Sequence, residues 1–163
     1  MYQHIVVAVD GSHNADKALQ QAILLAKQFN SQLTLAHIAG LRDLATEGIG
    51  LLSTSQLHEL AFKEGRAILE AAEQEALRAG VTKVETHVGE SWDGGKEMAE
   101  ALIDFAQRQA ADLIVLGTHG RKGLNHLLLG SFAENMLRLS RCPLLVIRNP
   151  SPDQEHQPTL PHL

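Results

Sequence analysis

Three glycines and a serine, spaced Gly117-x2-Gly120-x9-Gly130-Ser131, are the residues of this chain best suited to holding an anion. Glycine lets backbone amides come close to a ligand and tolerates positive φ. Ser131 has Glu134 three residues on, which reads as a capping box: the Ser131 hydroxyl accepts from the amide of Glu134, and the Glu134 carboxylate accepts from the amide of Ser131. A helix start has amides without intrahelical partners and the positive end of the dipole, so a glycine loop running into one suits polyphosphate. The plainer alternative is that Gly117 and Gly120 only shape a turn and Ser131 only caps.

These residues need a strand before them and a helix after them. Leu113, Ile114, Val115 and Leu116 form a short apolar run stopped by Gly117, as in a strand buried on both faces. Ala133, Met136, Leu137 and Ser140 then recur at helical spacing, and Leu144, Leu145, Val146 and Ile147 after Pro143 read as another buried strand. The intervening loop is far longer than a tight strand-to-helix turn needs.

Earlier in the chain, residues 4–9 read as a first strand and Asp10-Gly11-Ser12 as the turn after it. Ser12 or Asn14 can cap a helix whose apolar face is Ala15, Ala18, Leu19, Ala22, Ala26 and Phe29, ended by Asn30 and Ser31. Residues 32–38 read as the second strand, and residues 39–55 as an irregular lid or disordered insert. Ser53 and Gln56 can cap the next helix, which carries Leu57, Ala61, Ile68, Ala72 and Ala76 and stops at Gly80. In residues 83–88, Val84, Thr86 and Val88 alternate with Lys83, Glu85 and His87, so one face of this third strand is wet. A fourth helix runs through Met98, Leu102, Phe105 and Ala106. Five strands alternating with four helices predict an α/β fold with an open, five-stranded parallel sheet between two layers of helices. Residues 1–149 make one domain, and residues 150–163, within a tail that has four of the five prolines, read as disordered.

Composition narrows the function classes. The 163 residues are 44% hydrophobic and 20% charged, which suits one globular domain with a proper core. A net charge of −5 with no basic block beyond Arg121-Lys122 argues against nucleic acid as the main partner. The first residues lack the basic region of a signal peptide, no stretch approaches membrane-spanning length, and Cys142 is the only cysteine. A soluble protein of the reducing cytoplasm fits. Gly94-Gly95-Lys96 fails the phosphate-loop pattern, because position 90 is Glu and Glu97 replaces the needed hydroxyl. His58-Glu59 lacks the second histidine of a zinc helix, and the nine histidines are scattered singly, so no metal site is expected.

The stretches ADLIVLGTHGRKG, LLLGSFAENML and CPLLVI, together with the opening IVVAVDGS, resemble the universal stress protein family over residues 2–149. The glycine spacing is similar to that of the members that bind ATP. The resemblance implies a Rossmann-like, adenine nucleotide alpha hydrolase-like fold with sheet order 3-2-1-4-5. Ligands in such sheets sit at the carboxyl ends of the strands where the winding reverses, here between strands 1 and 4. Carried over to this chain, Ala8, Val9 and Asp10 would line the adenine and ribose end, with Ile38 as an apolar wall. Leu116 and Gly117 would offer backbone near the ribose, and Gly120, Gly130, Ser131, Phe132 and Ala133 would hold the phosphates, with magnesium as a companion ion the site allows. Asp10 beside phosphate is favourable in a backbone, sugar or metal contact. Two departures stand out: Ala133 replaces a frequent hydroxyl residue, and Phe132 is bulkier than the usual small aliphatic. The segment 89–96, with Trp92, looks longer than usual; its tryptophan reads as a loop anchor, with crevice cover or subunit contact as alternatives.

The resemblance implies an ATP-binding regulatory or stress-response module that passes its state to a protein partner. A weak ATPase or phosphotransferase using the same site is the alternative; no general base, catalytic lysine or paired magnesium carboxylates are evident. A flavodoxin-like redox protein would want more aromatic surface than one Trp and one Tyr supply. In the implied sheet order, strand 3 is an edge guarded by Lys83, Glu85 and His87. The other edge, strand 5, is apolar on both faces and invites pairing. A homodimer through Leu144, Leu145, Val146 and Ile147 follows, as the family resemblance also implies.

Overall fold

The computed structural model describes residues 1–47, 52–118 and 129–148. Two strands, β1 (His4–Ala8) and β4 (Leu113–Gly117), are apolar at every inner position, and Ile5, Val6, Val7, Ile114, Val115 and Leu116 are all 0% exposed. Strands buried on both faces belong in the middle of a parallel sheet with helices above and below. They pair with each other, Ile5 opposite Leu113 and Val7 opposite Val115. β2 (Gln32–Gly40) and β3 (Val84–Ser91) extend the sheet on one side, β5 (Leu144–Ile147) on the other. Every pairing is parallel, and the order is β3-β2-β1-β4-β5.

Alternation along the strands sorts the helices into two layers. Ile5, Val7, Leu33, Leu35, Leu113 and Val115 face α1 (His13–Phe29) and α3 (Thr54–Arg78). Val6, Ala36, Ile38, Ile114 and Leu116 face α4 (Gly94–Arg108) and α5 (Ser131–Leu139). Ser12 caps α1, its hydroxyl accepting from the Ala15 amide at 3.1 Å, and Asn30 ends it in the left-handed region at φ 54°. Ser53 and Gln56 form a reciprocal capping box on α3. Phe29 closes the apolar face of α1 at the rim, 37% exposed, edge-on to Tyr2 with 5.6 Å between ring centroids.

Several elements differ from the sequence reading. Residues 39 and 40 continue β2, pairing with Glu90 and Ser91, and a short helix α2 (Leu41–Glu47) follows. Leu41 and Leu44 are buried against Leu57 and Ala61, so this part of the expected insert is packed structure. Two apolar positions one turn apart are too short a pattern to announce a helix. The rest of the insert at 48–51, and the Pro-rich tail, lie outside the described residues. On α5 the buried positions are Ala133 and Met136; Leu137 is 50% exposed, and Ser140 is the C-cap. β3 is longer than expected, and His87 does not guard its edge: the ring stacks on Phe105 of α4, 3.7 Å between centroids and 4° from coplanar. Alternation in a strand next to a helix layer marks a face, and a histidine on that face can be covered by an aromatic ring.

Leu102, 0% exposed in the layer between α4 and the sheet, tests this architecture. Leu102→Ala should lower unfolding stability by about 2–5 kcal/mol, read from the urea midpoint at unchanged slope.

Candidate functional site

At its carboxyl end β1 runs through Val9 into the Asp10 turn. The Val9 amide donates to the Ala36 carbonyl at 2.8 Å, and the Val9 carbonyl meets Nδ1 of the buried His37 at 2.7 Å. The strand end is thus held on its β2 side just where the crevice opens. Asp10 Oδ1 accepts from the Ser12 amide at 2.8 Å, and Gly11 between them has φ +79°, a conformation that favours glycine. Asp10 is half-buried, and this bond is that of a carboxylate closing its own turn ahead of α1. Ala8 is half-buried, Val9 is 4% exposed, and Ile38 is 8% exposed within the cluster of Val6, Ala36 and Leu116. Ile38 is a core residue.

On the other side of the reversal, Leu116 is 0% exposed, backbone included, and packs in the core cluster with Val6, Ala36 and Ile38. Gly117 is half-buried and pairs with Ile147 of β5. Thr118 then closes the loop on itself. Its amide donates to the Ile147 carbonyl at 3.1 Å, and its carbonyl accepts from the Gly130 amide at 2.9 Å. The chain leaves the sheet and re-enters α5 at adjacent points. Gly120 lies outside the described residues.

The start of α5 differs in one respect from the capping box. Gly130 is the N-cap, with φ −62° and ψ 153° and no side-chain cap, and Ser131 is the first helical residue. The Glu134 amide bonds the Gly130 carbonyl at 2.9 Å, and the Glu134 carboxylate pairs with Arg138 at 3.2 Å. Moving the cap by one residue takes the Ser131 hydroxyl out of capping. The first-turn amides of Ser131, Phe132 and Ala133 have no partner within the helix, which keeps the dipole end available to an anion. Gly130 itself has a backbone conformation any residue adopts. Phe132 is half-buried against the α4–α5 core, and Ala133 is 2% exposed.

The structure thus brings Ala8, Val9 and Asp10, with Ile38 alongside, to one side of the reversal and Leu116, Gly117, Gly130, Ser131, Phe132 and Ala133 to the other. Two features escaped the sequence reading. One is Gly95, which touches the start of α5. The other is a cluster beside it on the rim: Glu90 meets His58 Nδ1 at 2.5 Å, Arg42 pairs with Asp93 at 2.6 Å, and Trp92, 46% exposed, stands edge-on to His58 at 6.5 Å. Trp92 anchors its loop on α3. The spacing Arg42, His58, Glu90 is non-local, so no window of sequence could show it. Among the described residues, no group of three or more His, Cys, Asp or Glu could hold a metal ion, and no helix is long and apolar enough to cross a membrane. Cys142 is half-buried, its thiol donates to the Ala111 carbonyl at 3.4 Å, and burial, then the Asp112 charge, pushes its pKa up, which disfavours the reactive thiolate.

The model of the universal stress protein family matches residues 1–148. Universal stress protein MJ0531 of Methanocaldococcus jannaschii is 33% identical to the chain over 153 residues, covering 92% of this chain and 84% of the relative. Among solved structures, hypothetical protein MJ0577 aligns with a TM-score of 0.74 at 25% identity, over 93% of this chain and 99% of that one. A universal stress protein in complex with cAMP aligns with a TM-score of 0.63 at 28% identity, over 90% and 97%.

His87, on the edge strand β3 and stacked on Phe105, has its pKa lowered from 6.5, first by burial and then by the Arg108 charge. The folded state favours the neutral ring, so below 6.5 the unfolded chain binds more protons. The stability this ring contributes is present above that value and is lost as pH falls below it. The urea midpoint should fall between about pH 7.5 and about pH 5.5, and His87→Phe should flatten that fall. A wild-type midpoint no more sensitive than the variant's would contradict the assignment.

Proposed function

This chain belongs to the universal stress protein family, and from that premise we propose that it is a cytoplasmic regulatory module that binds ATP in the crevice between β1 and β4. The observation that carries this reading is the convergence of two turns at the winding reversal: the Asp10-Gly11 turn, and the loop closed by the Thr118–Gly130 hydrogen bond. The donor set fits an adenine nucleotide. Ile38 supplies an apolar wall, Ala8, Val9 and Asp10 line the base and sugar end, and Gly117, half-buried after the fully buried Leu116, presents backbone beside the ribose. The amides of Ser131, Phe132 and Ala133 hold the phosphates, with Gly120 and Gly130 beside them. Magnesium, if it accompanied the nucleotide, would be held with the help of Asp10 and would offset phosphate charge there. That a family member of 28% identity was solved with cAMP supports an adenine nucleotide as the ligand class. ATP is the choice because a glycine loop running into a helix start has room and amides for a polyphosphate.

Hydrolysis is slow in this reading. Among the described residues of the crevice, no side chain is placed as an activated base or nucleophile, so the weak ATPase or phosphotransferase remains the second reading, and a regulatory protein partner reads the bound state. Gly130→Val tests the site. The backbone at 130 accepts valine, so the effect is occlusion of the amides. Calorimetry should show ATP affinity reduced by at least about tenfold with folding intact, the worth of one charge-assisted hydrogen bond. Unchanged affinity sinks the phosphate assignment.

We propose further that the protein is a twofold homodimer paired along β5. All four residues of that edge are only half-buried in the single chain. The Ile114 amide bonds the Pro143 carbonyl, and the Thr118 amide bonds the Ile147 carbonyl. By alternation, residues 143, 145 and 147 face β4, and the amides of Leu144 and Val146 point to the open edge. Val146→Pro therefore removes a donor from the proposed dimer ladder and none from the β4 ladder. Analytical ultracentrifugation at micromolar concentration should show a wild-type dimer and a folded Val146→Pro monomer. A wild-type monomer, or a dimer indifferent to the change, rules this edge out as the interface.

A further inference from the structure

The first turns of α4 and α5 lie side by side on one face of the sheet, and both helices start at the carboxyl end, where the crevice is. They touch at Gly95, the second residue of α4. A Cβ there would fall on Ser131 Oγ and lie 2.8 Å from both Phe132 N and the Ser131 carbonyl carbon. Real Cβ atoms do not come so near. The Ser131 hydroxyl can rotate away, but the other two atoms are backbone and move only if the first turn of α5 moves.

Gly94 beside it has a different reason to be glycine. Its φ is +67°, and a Cβ there would meet nothing within 4 Å. Gly94 shapes the turn from β3 into α4, and Gly95 makes room. The segment is also held from outside: the Asp93 amide donates to Glu97 Oε2 at 2.6 Å, and the Asp93 carboxylate pairs with Arg42 of α2. An enlarged residue 95 cannot simply retreat with its loop.

We propose that Gly95 is a positioning residue of the nucleotide site: its missing side chain lets α4 dock on the Ser131–Phe132 peptide and sets where the amides of α5 point. The inference rests on the nucleotide reading given above. Two parallel helix starts in contact also place two positive dipole ends together, which an anion between or beside them relieves.

The test compares ATP with adenosine on wild type and Gly95→Ala. Alanine is the better helix former, so α4 itself is not weakened by the change. ATP affinity should fall about tenfold while adenosine affinity stays within about twofold, because only the phosphate contacts are displaced. A purely structural effect would weaken both alike, and that result overturns the proposal. Equal ATP affinity in variant and wild type overturns it too, and leaves the nucleotide reading standing. A wild type that binds neither ligand overturns both. A second measurement needs no variant: on ATP saturation of the wild type, amide resonances of Gly95 and Ser131 should shift together, and adenosine should leave both in place. A Gly95 amide that stays fixed while that of Ser131 moves overturns the proposal.

Discussion

Everything in this fold depends on the burial of β1 and β4 on both faces. Ile5, Val6 and Val7, with Ile114, Val115 and Leu116, point alternately into the two helix layers and are shut off from water entirely. Each fully buried side chain of this size contributes roughly 1.5–3 kcal/mol. Two such strands can only be neighbours at the centre, and parallel crossovers of one hand then force the winding to reverse between them. At that reversal the connections leave in opposite directions, and the carboxyl ends of the two strands are left uncovered. The Asp10 turn and the Thr118–Gly130 bridge stand at those two strand ends, and the proposed nucleotide crevice lies between them.

Glycine does three separate jobs around that crevice. Gly11 turns the chain out of the β1 end through positive φ, and Asp10 locks the turn by bonding across it. Gly130 holds an ordinary extended conformation as the N-cap of α5, and its small size serves access to the α5 amides in the proposed nucleotide site. Gly95 is far from both in sequence and serves a neighbour, leaving the space in which the α5 backbone sits. The same residue type is chosen for conformation, for access and for packing, and only the surroundings tell the three apart.

Further polar and titratable groups stand outside the fully buried centre of β1 and β4. His87 is accommodated by stacking on Phe105, and the cost of charging it there lowers its pKa. His58, Glu90 and Trp92, and Arg42 with Asp93, tie α2 and α3 to the end of β3. The Arg42–Asp93 pair is well exposed and screened by solvent, so it orients the segment more than it stabilises it.

By itself the sequence determined what periodicity and local chemistry can encode: five strands, the four long helices, the Ser53–Gln56 capping box, the stop at Asn30, and the two glycine turns that end β1 and β4. These depend on residues within a turn or two of each other, so a short window holds the whole signal. The family, and with it the sheet order, was legible in motifs that lie in the stretches flanking the crevice. Tertiary structure alone decided the rest. It moved the α5 cap from Ser131 to Gly130, because the Thr118 carbonyl, reached across the loop, holds the Gly130 amide. It packed Leu41 and Leu44 as helix α2 against α3, left Leu137 in solvent, and put His87 against Phe105. It also gave Gly95 its purpose, since the atoms that forbid a side chain there belong to residues some thirty-six positions away (131 minus 95). Contacts between distant segments have no period and no spacing, and they exist only once the core has brought the segments together.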